Sequence, residues 1–284
     1  MVDKKLEKII YDVYENLKKD DEQCFETGFF DLDDFLRLEE KGILITIGAR
    51  PAMGKTAFLY NIMENVSKMG KKCFLFSLEM STKLVVKRLI SQISEVDTIK
   101  LRTGNMEQKD WDKIATAMST LLELPISIDD SCSINIEEIE SKIKEGKPDI
   151  VFIDYLQLFS NHKKMDRYTY IEHIMKELKR IADENKIIIF INSQLSRAIE
   201  SRMDKRPMLS DLRESGVIEN ISDIVIFIYR PDYYYFDEED YTQRNRAEII
   251  VAKNKFGPTG TVNLKFIGRI TKFFNLTKER FLEF

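Results

Sequence analysis

Short apolar segments alternate with longer amphipathic ones between Gly42 and Gln194, and this alternation constrains the fold more than any other feature. The apolar segments have the length and composition of buried strands, and they lie at 43–48, 73–79, 125–130, 149–154 and 187–194. Apolar residues at helical spacing predict helices at 55–70, 82–94, 107–119, 134–145 and 168–186. Such an alternation is typical of an α/β fold that is built on a parallel sheet.

Three later strand-like segments follow one another without helices, and they lie at 221–229, 247–253 and 261–267. We therefore predict a mainly parallel sheet flanked by helices, with an antiparallel extension toward the carboxyl terminus. Trp111 falls within a predicted helix, and it is assigned to the core rather than to a ligand site.

Composition narrows the classes of protein that the chain can represent. No run of about 18 apolar residues is present, so neither a membrane span nor a membrane partner is expected. The amino terminus lacks the long apolar run of a signal peptide. The 3 cysteines are widely spaced, and with 2 histidines they form no zinc motif, so a reducing, cytoplasmic setting is expected. The net charge of −4 does not indicate a nucleic-acid binder, although a local basic patch would suffice for phosphate contacts.

The stretch GARPAMGKTA, residues 48–57, resembles a phosphate-binding loop whose first glycine is out of register. Such loops carry a glycine, four further residues and then Gly-Lys-Ser/Thr, and this chain has Ala49 where the first glycine is expected. The loop nevertheless lies between a predicted strand and a predicted helix, which is the context in which backbone amides bind phosphate. Lys55 would then neutralise terminal phosphates, and Thr56 would hold Mg²⁺.

Polar residues end three of the predicted strands. Asp154 follows an apolar run, as the metal-binding carboxylate of nucleotide hydrolases does. Glu79 is a candidate to polarise the attacking water, and Gln194 is a candidate sensor of the γ-phosphate. Because the carboxyl ends of parallel strands meet at one edge of a sheet, these side chains are expected to converge with Lys55.

Two later segments offer positive charge. Residues 195–216 are polar and loop-like, with basic side chains at Arg197, Arg202, Lys205, Arg206 and Arg213. With the amide of Gly216 they could grip a nucleic-acid backbone, although an ordinary exposed loop is the commoner explanation of such a pattern. Lys253 and Lys255 alternate before a Gly-Pro turn, so their side chains leave one strand on the same face.

Together these stretches resemble the ATPase domain of the bacterial DnaB replicative helicases, within the RecA-like group of phosphate-loop proteins. The resemblance runs from about Thr27 to the carboxyl terminus through the collinear stretches TGFFDLD (27–33), GARPAMGKTA (48–57), FSLEMS (76–81), FIDYLQL (152–158), SQLSRAIESRMDKRPMLSDLRESGVIE (193–219) and AEIIVAKNKFGPTGTVNLKF (247–266). The last two make it specific, because a generic phosphate-loop protein would not carry them.

The resemblance implies a hexameric ring that binds ATP and Mg²⁺ between subunits, translocates 5′ to 3′ on single-stranded DNA and unwinds the duplex at a fork. In such helicases the first loop position is often alanine, so Gly48 becomes the last residue of the strand. The implied nucleotide-binding residues are Ala49, Arg50, Pro51, Ala52, Met53, Gly54, Lys55, Thr56 and Ala57. The other implied roles are catalytic carboxylate for Glu79, metal support for Asp154, γ-phosphate sensor for Gln194, and DNA contact for Arg213, Glu214 and Gly216.

The chain departs from the family at the element that reaches a neighbour's nucleotide. The family's KQR-type finger appears here as Lys253-Asn254-Lys255, with lysine in the place of arginine. Arginine presents a planar fork to phosphate, whereas lysine presents a point charge. RecA-like recombinases use a lysine pair across their interface, so both lysines are assigned as catalytic in trans. A RecA-like ring ATPase, or a recombination or regulatory factor without unwinding activity, is therefore the alternative.

Residues 1–24 are predicted to form an amphipathic helix that resembles the family's linker helix, ahead of an ATPase domain at 25–284. Its apolar face could pack on its own domain or dock on a neighbouring subunit. DnaB proteins usually carry a preceding domain that stabilises the ring and engages primase. The chain is expected to be either a domain-sized part of such a protein or a naturally short relative of the phage or plasmid type. Both alternatives call primase binding into doubt and leave a helicase loader as a candidate partner. If the ring is weak because the preceding domain is missing, the sites shared between subunits would be incomplete. A further alternative is therefore an interaction module that binds nucleotide but barely hydrolyses it.

Overall fold

The computed structural model describes residues 25–38, 42–159, 165–234 and 245–276, together with Tyr11 and Tyr14, which are both helical. The prediction of a linker helix over residues 1–24 otherwise lies outside the described residues. No helix within the described ranges is long and apolar enough to cross a membrane.

The described chain builds a sheet of 9 strands. The strands are β1 Ile43–Ala49, β2 Cys73–Ser77, β3 Ile126–Asp129, β4 Ile150–Asp154, β5 Ile188–Gln194, β6 Ile224–Tyr229, β7 Arg246–Asn254, β8 Gly260–Ile267 and β9 Lys272–Asn275. Their order is β3-β2-β4-β5-β1-β6-β7-β8-β9. Pairing is parallel from β3 to β6 and antiparallel from β6 to β9. The predicted fold class, a mainly parallel sheet with an antiparallel extension, is confirmed.

Helices cover the sheet, and its two faces belong to two separate hydrophobic cores. The helices are α1 Phe30–Leu36, α2 Lys55–Lys68, α3 Thr82–Ser94, α4 Thr98–Thr103, α5 Gln108–Glu123, α6 Ile136–Gly146, α7 Arg167–Asn185, α8 Ser215–Ile221 and α9 Pro231–Tyr234. Alternate residues of β1 serve the two cores, as the period of a strand requires: Ile43 and Ile45 join the core that contains α2, while Leu44 joins the core that contains α7.

The central helix α2 is the most deeply packed helix of the first core, with buried side chains on most of its surface. Phe58 of α2 stacks on Phe29 and meets the edge of Phe273, with ring centroids 5.2 Å apart in both pairs. Because aromatic pairs of this kind fix both distance and orientation, α2 cannot slide along the sheet without breaking them. The first residues of α2, Lys55 and Thr56, are therefore held in a defined position.

The TGFFDLD stretch is a structural element that braces α2. The carboxylate of Asp33 accepts hydrogen bonds from the Thr27 amide at 2.7 Å, the Thr27 hydroxyl at 2.6 Å and the Gly28 amide at 3.1 Å. Gly28 has a φ of 82°, and a Cβ there would lie 2.6 Å from the side chain of Asn65. The turn therefore needs glycine, and it presses the start of α1 against α2.

The structure corrects several details of the sequence-based prediction. The strand expected over 221–229 begins only at Ile224, because the side chains of Ser222 and Asp223 hydrogen-bond to β1 before the strand starts. Trp111 is half exposed on α5 and does not belong to the core. The short elements α1, α4 and β9 were not predicted, since none of them is long enough to display a clear periodicity.

Gly48 lies inside β1, where the sheet packs closely against the second core. A Cβ on Gly48 would lie 2.8 Å from the ring of Phe227 and 3.0 Å from the side chain of Leu195, and both of these residues are fully buried. Gly48→Ala is therefore predicted to lower the free energy of unfolding by about 1–3 kcal/mol through overpacking, measured by urea denaturation. Gly146→Ala is the control, because a Cβ there would make only ordinary contacts at 3.6 Å. Equal stability of the two variants would contradict this account of Gly48.

Candidate functional site

The loop between β1 and α2 forms a tight turn at the carboxyl edge of the parallel sheet. Ala52 and Gly54 both adopt positive φ angles, of 64° and 97°. The amide of Met53 donates to the carbonyl of Arg50 at 3.3 Å, which closes the turn. Glycine adopts such angles freely, whereas alanine does so at a cost, so the surrounding packing must hold Ala52 in place. The amino end of α2, where backbone amides lack helical partners, opens directly after this turn.

Asp154, at the end of β4, joins this helix to β5, the strand between β4 and β1. Its carboxylate accepts a hydrogen bond from the Thr56 hydroxyl at 2.8 Å and another from the Asn192 side-chain amide at 2.8 Å. Asp154 is buried at the end of β4, and Asn192 is buried in β5. The arrangement places two oxygen donors, the Thr56 hydroxyl and the Asp154 carboxylate, side by side at the mouth of the phosphate loop.

Lys55 extends over the ring of Tyr155, with its ammonium 4.5 Å from the ring centroid. Burial lowers the pKa of the Lys55 ammonium to about 8, and the negative charges of Asp154 and Glu79 act in the opposite direction. The ammonium is therefore short of compensating negative charge in this structure. A ligand that brought anionic oxygens to Lys55 would restore its charged form.

A cavity of about 480 Å³ opens above the loop and brings most of the predicted site residues together. The predicted residues that line it are Arg50, Pro51, Ala52, Gly54, Lys55, Thr56, Ala57, Glu79 and Gln194. Ala49, Met53 and Asp154 are buried beneath this wall, each with only 1% of its surface exposed. The expectation that these strand-end residues converge at one edge therefore agrees with the geometry, and their chemical roles stay predictions.

Glu79 does not end β2, as the sequence suggested, since that strand stops at Ser77. The chain bends instead, because the Ser77 hydroxyl donates to the Met80 carbonyl at 2.7 Å and the Leu78 amide donates to the Asp154 carbonyl at 2.8 Å. The bend carries Glu79 out of the sheet, so that its exposed carboxylate faces the cavity.

Gln194 is the last residue of β5, where it lies opposite Ala49 of β1. Its backbone amide donates to the Gln157 side chain at 3.1 Å, and Gln157 in turn donates to the Ser193 hydroxyl at 2.9 Å. The 3₁₀ turn Leu156–Leu158 after β4 thus fixes the backbone of β5 at the point where Gln194 enters the cavity.

The side chain of Arg50 is already engaged within the chain. Its guanidinium donates to the Glu200 carboxylate at 2.5 and 3.0 Å and to the Leu195 carbonyl at 3.0 Å. These bonds tie the phosphate loop to the segment that follows β5. Any contact between Arg50 and a nucleotide would therefore come from its backbone or would break this ion pair.

Several cavity residues were missed by sequence reasoning, namely Met80, Arg88, Tyr155, Arg230, Phe266, Gly268 and Thr271. Arg230 follows the end of β6, so the strand-end rule that selected Gln194 could have found it. Its guanidinium lies 4.7 Å from the ring centroid of Phe266 and donates to the Ala52 carbonyl at 3.3 Å. Phe266 and Thr271 come from the antiparallel extension, where no local pattern signals proximity to the loop.

The basic segment 195–216 uses most of its charges to hold itself together. Arg202 forms paired hydrogen bonds, both of 2.7 Å, with the buried carboxylate of Asp211. Arg206 makes a similar pair with the buried Glu248 at 2.7 and 2.9 Å. Lys205 donates to the backbone carbonyls of Glu200 and Arg202. These three residues therefore stabilise the segment, which corrects their assignment as free phosphate contacts.

Arg197 and Arg213 form no ion pair with the described residues, so they keep their charge available. Arg213 lies close enough to Tyr155 for its charge to lower the pKa of that phenol, although burial raises the pKa overall. Glu214 adopts a φ of 56° and accepts a hydrogen bond from Arg167 at 3.1 Å. Gly216 is exposed in the first turn of α8. The three predicted DNA residues thus surround the start of one short helix.

Lys253 and Lys255 lie at the opposite edge of the sheet from the cavity. The end of β7 pairs with the start of β6, at Asn254 and Ile224, whereas Arg230 at the far end of β6 lines the cavity. Six residues of β6 separate the two edges by about 20 Å. Within one chain the lysines therefore lie far from Lys55, and a role at a nucleotide requires a second subunit.

The lowered pKa of Lys55 predicts a pH-dependent stability. Between about pH 8 and the ordinary pKa of 10.5, the Lys55 side chain binds fewer protons in the folded protein than in the unfolded protein. In this range the free energy of unfolding of the wild-type protein therefore increases with pH. Lys55→Met is therefore expected to be more stable than wild type at pH 7, by about 1–3 kcal/mol, with the advantage shrinking toward pH 10. Urea denaturation across this range measures the difference, and Lys71→Met at an exposed lysine is the control. An advantage that stays constant with pH would contradict the lowered pKa.

Comparison with known proteins agrees with this geometry. The family model described as the DnaB-like helicase C terminal domain matches residues 24–275. The chain is 42% identical over 277 residues to the replicative DNA helicase DnaC of Bacillus subtilis, covering 94% of this chain and 60% of that protein. It is 40% identical over 287 residues to the replicative DNA helicase DnaB of Geobacillus stearothermophilus, covering 97% of this chain and 63% of that protein.

The chain thus spans about three fifths of the length of these curated relatives. Among solved structures, an ATPase domain superposes with a TM-score of 0.90 at 36% identity, covering 97% of this chain and 100% of that one. A DnaB-like replicative helicase, solved in a study of its interactions with primase, superposes with a TM-score of 0.89 at 37% identity, covering 94% of this chain and 68% of that one. The chain belongs to the DnaB-like helicase C-terminal domain family.

Proposed function

We propose that this chain is the motor domain of an ATP-driven replicative DNA helicase that works as a hexameric ring. The observation that carries the proposal is the convergence of Lys55, Thr56, Glu79 and Gln194 on one cavity, with Asp154 directly beneath it. These residues supply a cation, metal ligands, a carboxylate and an amide at one edge of the sheet. That set of groups suits the hydrolysis of a nucleoside triphosphate.

ATP would be held by the amides of the phosphate loop and by the ammonium of Lys55. The amino end of α2 favours anions, and Lys55 lacks compensating negative charge until a phosphate arrives. Mg²⁺ prefers oxygen ligands and is commonly held by one or two protein groups together with substrate phosphates. The Thr56 hydroxyl and the Asp154 carboxylate meet that requirement, and the bound ion would neutralise charge that develops on the phosphates.

Glu79 would act on the attacking water. Its carboxylate is exposed to the cavity on a bend that two hydrogen bonds fix, so it can polarise water without displacing a core side chain. Gln194 would contact the γ-phosphate and change position with its presence. The Gln157 side chain accepts a hydrogen bond from the Gln194 amide, so such a change would act on the end of β5. The segment that leaves β5 leads to Arg213, Glu214 and Gly216, which would contact the backbone of single-stranded DNA.

The position of Lys253 and Lys255 supports the proposal of a ring. Since both lysines lie about 20 Å from the cavity of their own chain, they would serve the nucleotide of a neighbour. The similarity to proteins named replicative DNA helicases supports the proposal that this chain translocates on DNA. The family resemblance implies that the direction is 5′ to 3′. A helicase loader as a partner and a cytoplasmic location belong to the same proposal as secondary expectations, whereas primase is not included as a partner.

The lysine pair also favours one alternative, a RecA-like ring ATPase or recombination factor that hydrolyses ATP without separating strands. Lysine offers a phosphate a single point charge instead of a planar fork, which weakens a trans finger relative to arginine. The two functions differ in one observable, because only a helicase converts hydrolysis into displacement of a paired strand.

Lys55→Ala is predicted to abolish DNA-stimulated ATP hydrolysis, with a loss of at least about 100-fold, because Lys55 is the cation at the start of α2, where the loop amides would hold the phosphates. The same variant should fail to unwind a forked duplex with a free 5′ tail, whereas the wild-type protein unwinds it. Both assays are run across protein concentrations beside sedimentation with and without ATP and Mg²⁺. Lys71→Ala, at an exposed lysine remote from the cavity, is the control and should retain both activities.

Two outcomes would contradict the proposal at different levels. Wild-type rates of hydrolysis in Lys55→Ala would show that the nucleotide site lies elsewhere. Hydrolysis that depends on Lys55 without strand displacement would favour the RecA-like alternative, and a monomer under all conditions would exclude a working ring.

A further inference from the structure

Lys253 caps the carboxyl end of α8. Its ammonium donates to the backbone carbonyls of Glu219, Asn220 and Ser222, the last two at 3.4 and 2.8 Å. The last carbonyls of a helix have no helical partner, and the helix dipole favours a cation at this end. The side chain of Lys253 therefore ties the last turn of α8 to strand β7.

The other end of α8 carries the candidate DNA residues. The helix begins at Ser215, directly after Arg213 and Glu214, and Gly216 lies in its first turn. Its 7 residues span only about 10 Å. Fewer than two and a half turns of helix separate the two ends, so a displacement of the carboxyl end also moves the amino end.

The amino end of α8 is incompletely satisfied. Glu214 has a φ of 56°, in the left-handed region that non-glycine residues avoid. One of its carboxylate oxygens pairs with Arg167, and the other is buried without a hydrogen-bond partner among the described residues. Such an oxygen destabilises the arrangement that buries it. This end of the helix therefore gains from a shift that would expose or pair that oxygen.

Lys253 in β7 and Lys255 directly after that strand are held by different kinds of acceptor. Lys255 pairs at 2.7 Å with the buried carboxylate of Asp223, which also binds Lys179 at 2.9 Å. Among the described residues, Lys253 donates to neutral carbonyls alone, and burial together with the positive charge of Lys255 lowers its pKa. A charged phosphate oxygen is a stronger acceptor than a neutral carbonyl. Of the two, Lys253 is the residue that a phosphate would draw away.

We propose that Lys253 is a positioning residue that links the nucleotide of a neighbouring subunit to DNA contact within its own chain. When a phosphate takes the ammonium from the end of α8, the helix is released and its start presents Arg213, Glu214 and Gly216 to DNA in a different position. The inference rests on the proposed function, because it requires the end of β7 to face a neighbour's nucleotide.

The test compares the full chain with Lys253→Met, Lys253→Arg and Lys255→Met. Hydrogen exchange without nucleotide should show faster amide exchange over residues 219–222 in Lys253→Met, by about tenfold, because the helix end loses its cap. Lys253→Arg keeps a cation there and should resemble wild type, whereas Lys255→Met leaves the cap in place but removes one of the two lysines that bind Asp223, so it should raise exchange less than Lys253→Met does. This readout is local, so it does not require a ring.

The second readout is the affinity for a single-stranded oligonucleotide with and without a non-hydrolysable ATP analogue. In wild type the two dissociation constants should differ severalfold, and in Lys253→Met the ratio should fall to about one, while Lys253→Arg preserves it. A wild-type ratio in Lys253→Met, or unchanged exchange over 219–222, would overturn the inference. A ratio of one in the wild-type protein would also overturn it and would leave the proposed function standing if ATP hydrolysis still depends on Lys55. Hydrolysis that does not depend on Lys55 would overturn the proposed function itself.

Discussion

The buried carboxylate of Asp154 organises the candidate site. It accepts hydrogen bonds from Thr56 at the start of α2 and from Asn192 in β5, and its backbone carbonyl accepts one from Leu78, the residue before Glu79. A buried polar group that loses its partner costs about 1–3 kcal/mol, so these bonds favour one relative position of the three segments. The loop, the candidate metal ligands and the candidate catalytic carboxylate are thereby fixed through a single residue.

The antiparallel extension completes the molecule at both edges of the sheet. At the carboxyl edge, the side chain of Gln92 donates to the carbonyls of Ala57 and Thr271 at 3.2 and 2.6 Å, so the turn after β8 closes the cavity against α2. At the amino edge, the end of β7 carries Lys253 and Lys255 away from that cavity. Each chain therefore presents the candidate nucleotide site at one edge and a pair of cations at the other, which is the arrangement that the proposed sharing of the site between subunits needs.

The parallel strands could be predicted because the central ones are continuous apolar runs that are buried on both faces, and the long helices because each buries one face with a helical period. The rule that parallel strands end at one edge then placed Glu79 and Gln194 near Lys55. The sequence could not predict which partners the basic side chains of residues 195–216 pair with. The partner of Arg206, Glu248, lies 42 residues further along the chain and becomes adjacent only when β6 and β7 pair. The cavity residue Phe266 was missed for the same reason, since its proximity to Arg230 depends on the packing of the extension.

In the proposed function the active site is shared, with Lys55 from one subunit and Lys255 from the next. Mixing Lys55→Ala protein with Lys255→Ala protein tests it most directly, because neither variant alone can build a complete site. We expect each variant alone to hydrolyse ATP poorly and the mixture, after subunit exchange, to regain activity at interfaces that combine an intact Lys55 with an intact Lys255. A mixture that shows only the average of the two separate activities, or full activity in Lys255→Ala alone, would contradict the account.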